Sequence, residues 1–131
     1  MIRAINHVQV AAPPELEEQA VAFYRDVLGL EPIAKGGDSE KGAWFTAVNV
    51  ELHVGIQEKG FAPAKKAHVA FVVDSLAKWR TKLKKAGAAM KEGSDMPGWR
   101  RFFAEDPCGN RLEFMEEIRR EGAKHAKKGK Q

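Results

Sequence analysis

The chain has 131 residues, 44% of them apolar, with 22 Lys and Arg against 18 Asp and Glu and a single cysteine. That is the size of one compact domain whose core needs no disulfide staples. It excludes a largely disordered chain, and no apolar run reaches the roughly 18–20 residues of a membrane span.

In chain order, residues 2–10 alternate with β-branched side chains and predict a strand, broken by the Ala11-Ala12-Pro13-Pro14 run. Residues 1–5 lack the apolar stretch of a signal peptide. Residues 15–28 predict a helix with acidic first turns, its apolar face carrying Ala20, Phe23, Tyr24, Val27 and Leu28, and Gly29 at its C-terminal stop. A short strand over 31–34, a Gly-rich loop over 36–39 and strands over 44–48 and 49–56 follow. After a polar connection over 57–66 the order repeats. There is a strand over 67–73, then a helix capped at Asp74 or Ser75 and running to Ala86. A short strand over 88–91, a loop, and strands over 99–105 and 111–117 complete the series, the last two joined by the Asp106–Asn110 turn. Residues 119–131 hold six Lys or Arg and one Glu, a net +5, so the +4 of the whole chain leaves the other 118 residues near −1. This end reads as a flexible basic tail, which removes the case for specific nucleic-acid binding.

The pattern predicts an α+β fold of two βαβββ modules in tandem. The modules span 1–58 and 65–118, with a linker at 59–64, inside one domain of residues 1–118. Their sheets are expected to form a curved open barrel around a central cavity. Superposing the copies aligns Ile5-Asn6-His7-Val8 with Lys66-Ala67-His68-Val69 and Val50-Glu51-Leu52 with Leu112-Glu113-Phe114. His7 precedes Glu51 by 44 residues and His68 precedes Glu113 by 45, so each half carries an equivalent His and Glu. Strand alternation turns Val8, Leu52, Val69, Leu112 and Phe114 toward the helices and His7, Glu51, His68 and Glu113 to the opposite face. Two imidazoles and two carboxylates suit a divalent Zn, Ni, Co, Mn or Fe ion. By the same parity Gln9 shares the face of His7, and Arg101 and Phe103 share that of Glu113, where Arg101 suits a substrate carboxylate or phosphate. The bland alternatives are an ion pair for Glu51 and a solvated strand position for Arg101.

Three segments, INHVQV (5–10), AFYRDVLGL (22–30) and FAEDPCGNRLEF (103–114), resemble the vicinal oxygen chelate superfamily of glyoxalases, bleomycin resistance proteins and extradiol dioxygenases. The resemblance implies a metal-dependent enzyme of lyase or isomerase type. It would act on a small oxygen-rich substrate by bidentate chelation, as a homodimer in the cytoplasm, the compartment that the lone Cys108 also suggests. It places metal ligands at His7, His68 and Glu113. The fourth-strand position falls to Glu51, with His53 two residues on as the other candidate. Glu51 and Glu113 are the candidate proton-moving residues, and Gln9, His53, Arg101 and Phe103 the candidate substrate contacts. A three-ligand set of His7, His68 and Glu113 would instead match extradiol dioxygenases or thiol transferases, and a metal-free drug- or metabolite-binding protein is the non-enzymatic alternative. Whether the modules pair within one chain or between two is open at this level.

Overall fold

A computed structural model describes residues 1–37 and 40–119. Apart from Arg119, the basic tail lies outside the described residues, as do Asp38 and Ser39 of the expected loop. The first module comprises β1 (His7–Ala12), α1 (Glu17–Ala22), β2 (Glu31–Ile33), β3 (Ala43–Ala47) and β4 (Val50–Ile56). The second comprises β5 (Val69–Val72), α2 (Leu76–Lys85), β6 (Met90–Glu92), β7 (Trp99–Glu105) and β8 (Arg111–Glu117). Each forms a four-stranded mixed sheet, ordered β1-β4-β3-β2 and β5-β8-β7-β6. The two sheets are curved but do not close into a barrel.

The pairing rules explain where the strands begin. β1 runs parallel to β4 with His7 opposite Glu51 and Ala12 opposite Ile56. Asn6 O accepts the last ladder bond, from Glu51 N. The expected strand over 2–10 is therefore displaced to His7–Ala12. Among the described residues no strand faces residues 1–5, and Ile2 and Ile5 are exposed. β5 begins at Val69 rather than 67, because its register starts at Val69 opposite Leu112, so His68 stands one residue before the strand.

The first helix is less regular than its periodicity predicts. A 3-10 turn (Pro14–Leu16), α1 and a π turn (Phe23–Val27) follow one another. The π turn carries a wide bond from Leu28 N to Phe23 O at 2.9 Å, and Gly29, at φ +73°, ends it. α2 follows the expectation closely. Ser75 Oγ accepts from Lys78 N at 3.2 Å as the N-cap, and Lys82, Lys84 and Lys85 occupy the last turn.

Alternation puts Phe45, Leu52 and Val54 of one sheet and Phe102, Leu112 and Phe114 of the other under their helices, all fully buried. Phe114 stacks with Phe102 and Trp79 at ring separations of 5.3 and 5.5 Å. A buried polar clasp joins the modules. Tyr24 Oη donates to Asp106 Oδ2 at 2.6 Å, and Asn110 Nδ2 donates to Ala11 O at 2.9 Å. Asp106 Oδ1 also accepts from the backbone N–H groups of Cys108 and Asn110, which satisfies the carboxylate in the turn before β8. Burial first, and then the charge of Asp106, raise the Tyr24 hydroxyl well above its usual range. No helix among the described residues is long and apolar enough to cross a membrane.

Candidate metal and substrate site

In each module the face turned away from the helix carries the chemistry. In the first sheet His7 lies opposite Glu51 and Gln9 opposite His53, while β3 brings Trp44 opposite His53. The three rings form one stack. His53 lies 4.0 Å from Trp44 at an interplanar angle of 1°, and 4.2 Å from His7 at 13°. His53 is only 4% exposed, and its Nε2 is 2.9 Å from Glu51 Oε1. Since an ionised carboxylate only accepts, His53 donates here and holds Glu51 in place. The Nδ1 of His7 is 2.9 Å from Asn6 Oδ1, which turns Nε2 to the other side of the ring.

In the second sheet His68 Nδ1 lies 2.8 Å from Lys66 O, and its Nε2 lies 2.8 Å from Glu113 Oε1. A carbonyl only accepts, so Nδ1 carries the proton. In the neutral ring the Nε2 lone pair therefore faces a carboxylate oxygen. Two acceptors at that distance require a proton or a cation between them. Glu113 is buried, and its second oxygen is 3.4 Å from Arg101 Nη1. Arg101 Nε donates to Ser94 O at 2.9 Å. Phe103, opposite Glu113, packs edge-on to His68 at 5.9 Å. The absence of a side chain at Gly93 is what admits this ring: a Cβ there would sit 2.9 Å from Phe103 Cε2.

All the sequence-derived residues thus occupy the expected face, in two groups. His7, Gln9, Glu51 and His53 belong to one sheet, and His68, Arg101, Phe103 and Glu113 to the other. Within one chain no three His, Cys, Asp or Glu among the described residues come together as a ligand set. The donor chemistry nevertheless fits a divalent cation, since an imidazole nitrogen and a carboxylate oxygen stand 2.8 Å apart at His68 and Glu113. Gln9 packs over Gly55, its Nε2 2.7 Å from where a Cβ would stand. His53 is enclosed rather than displayed, which suits it to supporting Glu51. Cys108 is a poor nucleophile: burial first, then Asp106 and Glu15, push its thiol up to about 11.

Alternation alone leaves open which face Trp44 takes as an apolar wall, and the β3–β4 hairpin assigns it to that of His53. Arg111 escaped the sequence reading but was legible, because it stands two residues before Glu113 on β8 and therefore on the same face. A separate apolar cavity of about 620 Å³ lies between the modules against Leu30, Val50, Phe71 and Trp79. None of the candidate metal ligands lines it.

The model of the Glyoxalase/Bleomycin resistance protein/Dioxygenase superfamily matches residues 4–114. A crystal structure from Bacillus anthracis, described as a glyoxalase family protein, is 42% identical and superposes with a TM-score of 0.81, over 90% of this chain and 98% of that one. Lactoylglutathione lyase from Agrobacterium tumefaciens is 22% identical with a TM-score of 0.68, covering 88% and 95%. The fosfomycin resistance protein FosX from Listeria monocytogenes is 18% identical with a TM-score of 0.73, covering 90% and 96%. At those identities the last two share the fold alone. The comparison with curated proteins finds no match.

Proposed function

The chain belongs to the Glyoxalase/Bleomycin resistance protein/Dioxygenase superfamily, and on that premise we propose that it is a divalent-metal-dependent enzyme of lyase or isomerase type acting on a small oxygen-rich substrate. The observation that carries this reading is the 2.8 Å approach of His68 Nε2 to Glu113 Oε1 with Nδ1 committed to Lys66 O. That geometry is a half-site prepared for a cation. The other half is His7 with Glu51 on the first sheet. In the proposed assembly the first module of one copy faces the second module of another, and residues 1–117 of each chain supply half of two sites. The unpaired outer edges of β1 and β5 and the exposed Ile2 and Ile5 support that arrangement.

His7, His68, Glu113 and Glu51 would hold the ion, with Zn, Ni, Co, Mn and Fe all compatible with the N/O donor set. When bound it supplies Lewis acidity to two adjacent substrate oxygens and stabilises the anion formed there. The chain's own residues do the remaining work. Glu51 is partly exposed and held by His53, so it can take a proton from substrate carbon and return it elsewhere. Arg101, beside Glu113, orients an anionic group, and Gln9 and Phe103 line the face. The bond between Glu51 and His53 favours a second reading in which only His7, His68 and Glu113 bind the ion and Glu51 serves solely as the base.

The experiment is to load metal-free protein separately with each of the five metals and follow solvent deuterium incorporation into vicinal hydroxy-carbonyl substrates. The reading expects exchange with at least one metal and its loss in Glu51→Gln. Folded protein inert with every metal overturns it. Oxygen uptake with catechols would move the assignment to a dioxygenase, and thiol-dependent loss of an epoxide to a transferase.

A further inference from the structure

The second sheet holds a cation whose function the metal reading leaves unused. Arg111 lies opposite Glu105 on β7, the position from which a cross-strand ion pair would form. That pair is not made. Glu105 bonds instead to Lys65 Nζ at 3.1 Å, which also donates to Gly109 O at 3.0 Å. The Arg111 guanidinium lies over Phe103, 4.7 Å from the ring centroid, and among the described residues it pairs with no carboxylate. Stacking on an aromatic face holds a guanidinium in place and leaves its in-plane N–H donors free for a planar or tetrahedral oxyanion. Arg101 approaches the same ring at 5.2 Å, with its Nε engaged by Ser94 O and its Nη1 by Glu113.

The surroundings suit such an anion. Lys91 is opposite Phe103 on β6 and exposed. Lys91, Phe103 and Arg111, with Met90 and Glu105, border a cavity of about 90 Å³. That is the room of roughly three waters, enough for one carboxylate or phosphate. Arg111 also stands two residues from Glu113 on the same face of β8, a separation of roughly 7 Å.

We infer that Arg111, held by Phe103 and assisted by Lys91, is an oxyanion-binding subsite, and that the substrate carries a carboxylate or a phosphate-type group on the Arg111 side of the oxygens bound beside Glu113. The placement relative to those oxygens rests on the proposed metal site; the anion subsite itself does not.

The test uses the full-length, metal-free protein in chloride-free buffer, titrated with inorganic phosphate and, separately, with acetate, and followed by the backbone amide signals of Lys91, Phe103 and Arg111. The inference expects a saturable shift with one or both anions, the stronger identifying the group. It expects binding at least tenfold weaker in Arg111→Gln, an intermediate loss in Arg111→Lys, and no change in Arg100→Gln, which alters the opposite face. Equal affinity in folded Arg111→Gln, or no saturable shift with either anion, overturns it. Retained anion binding in a protein that takes no metal would overturn the metal reading alone. Normal metal binding with anion affinity indifferent to Arg111 would overturn this one alone.

Discussion

His68 and Glu113, 45 residues apart, meet at 2.8 Å between Nε2 and Oε1 while the other ring nitrogen of His68 is held by Lys66 O. The parallel pairing of β5 with β8 therefore brings an imidazole nitrogen and a buried carboxylate oxygen to the same point. Glu113→Gln keeps the shape but puts an amide where the proposed charged ligand stands. Its expected effect is a loss of at least about 100-fold in divalent-metal affinity, read by calorimetric titration, with far-UV dichroism unchanged. Metal affinity within threefold of the native chain would remove Glu113 from the ligand set.

His7 and His68 lie on different sheets and, among the described residues, fall into no common ligand set, so in the proposed dimer the two defects should complement. Mixed and re-annealed His7→Ala and His68→Ala chains are expected to recover about a quarter of native metal capacity, since in the proposed assembly half the dimers would be mixed and each mixed dimer would hold one intact site. Capacity no greater than in the separate variants would show that both histidines act within one chain.

Tyr24 ties the first module to the second through buried Asp106 at 2.6 Å. Tyr24→Phe leaves that carboxylate short of one donor and should cost about 1.5–3 kcal/mol in urea unfolding. The hydroxyl's raised pKa gives a sign as well. Its contribution is full below about pH 10, the unfolded value, and is lost as pH rises through the higher folded value. Native protein should therefore lose more stability between pH 9 and 11 than Tyr24→Phe does. Equal losses would mean that Tyr24 does not titrate with unfolding.

Cys108, with its thiol pushed up to about 11 by burial and by Asp106, should react with a disulfide reagent at pH 8 on the order of 100-fold more slowly in native protein than in denaturant. Fast native labelling would contradict its enclosure beneath the clasp.

Val48 closes the β3–β4 hairpin at φ 70°, with Asn49 N donating to Ala47 O at 2.9 Å and its side chain wholly in solvent. A β-branched residue is strained there and nothing packs against it to compensate. Val48→Gly is expected to raise unfolding free energy by about 1 kcal/mol, even after the entropy cost of glycine. A loss of stability in thermal unfolding would place an unrecognised role on that side chain.

Much of this was readable from the residues. The His–Glu spacing of 44 and 45 and the alternation around Glu113 locate both His–Glu pairs and the faces they share. Three features were not readable, each for a physical reason. Strand 1 begins at His7 because pairing with Glu51 sets its start, and β-propensity in residues 2–6 carries no information about a missing partner. The face of His53 was legible but its enclosure was not, because alternation assigns a face and cannot show that Trp44 and His7 stack on the ring from either side. The distribution of the candidate ligands over two groups follows from how the modules sit on one another, and the contacts between them, such as Tyr24 with Asp106 and Ala11 with Asn110, join residues too far apart for any local pattern to encode.

The central claim is that these residues bind a divalent ion, and the direct measurement is titration of the metal-free protein with Zn, Ni, Co, Mn and Fe(II) ions, with elemental analysis of the product. The account predicts about one ion per chain for at least one metal, lost in His7→Ala, His68→Ala and Glu113→Gln and kept in Arg111→Gln. Folded native protein that takes up none of the five, or binding unchanged in all three ligand variants, would contradict it.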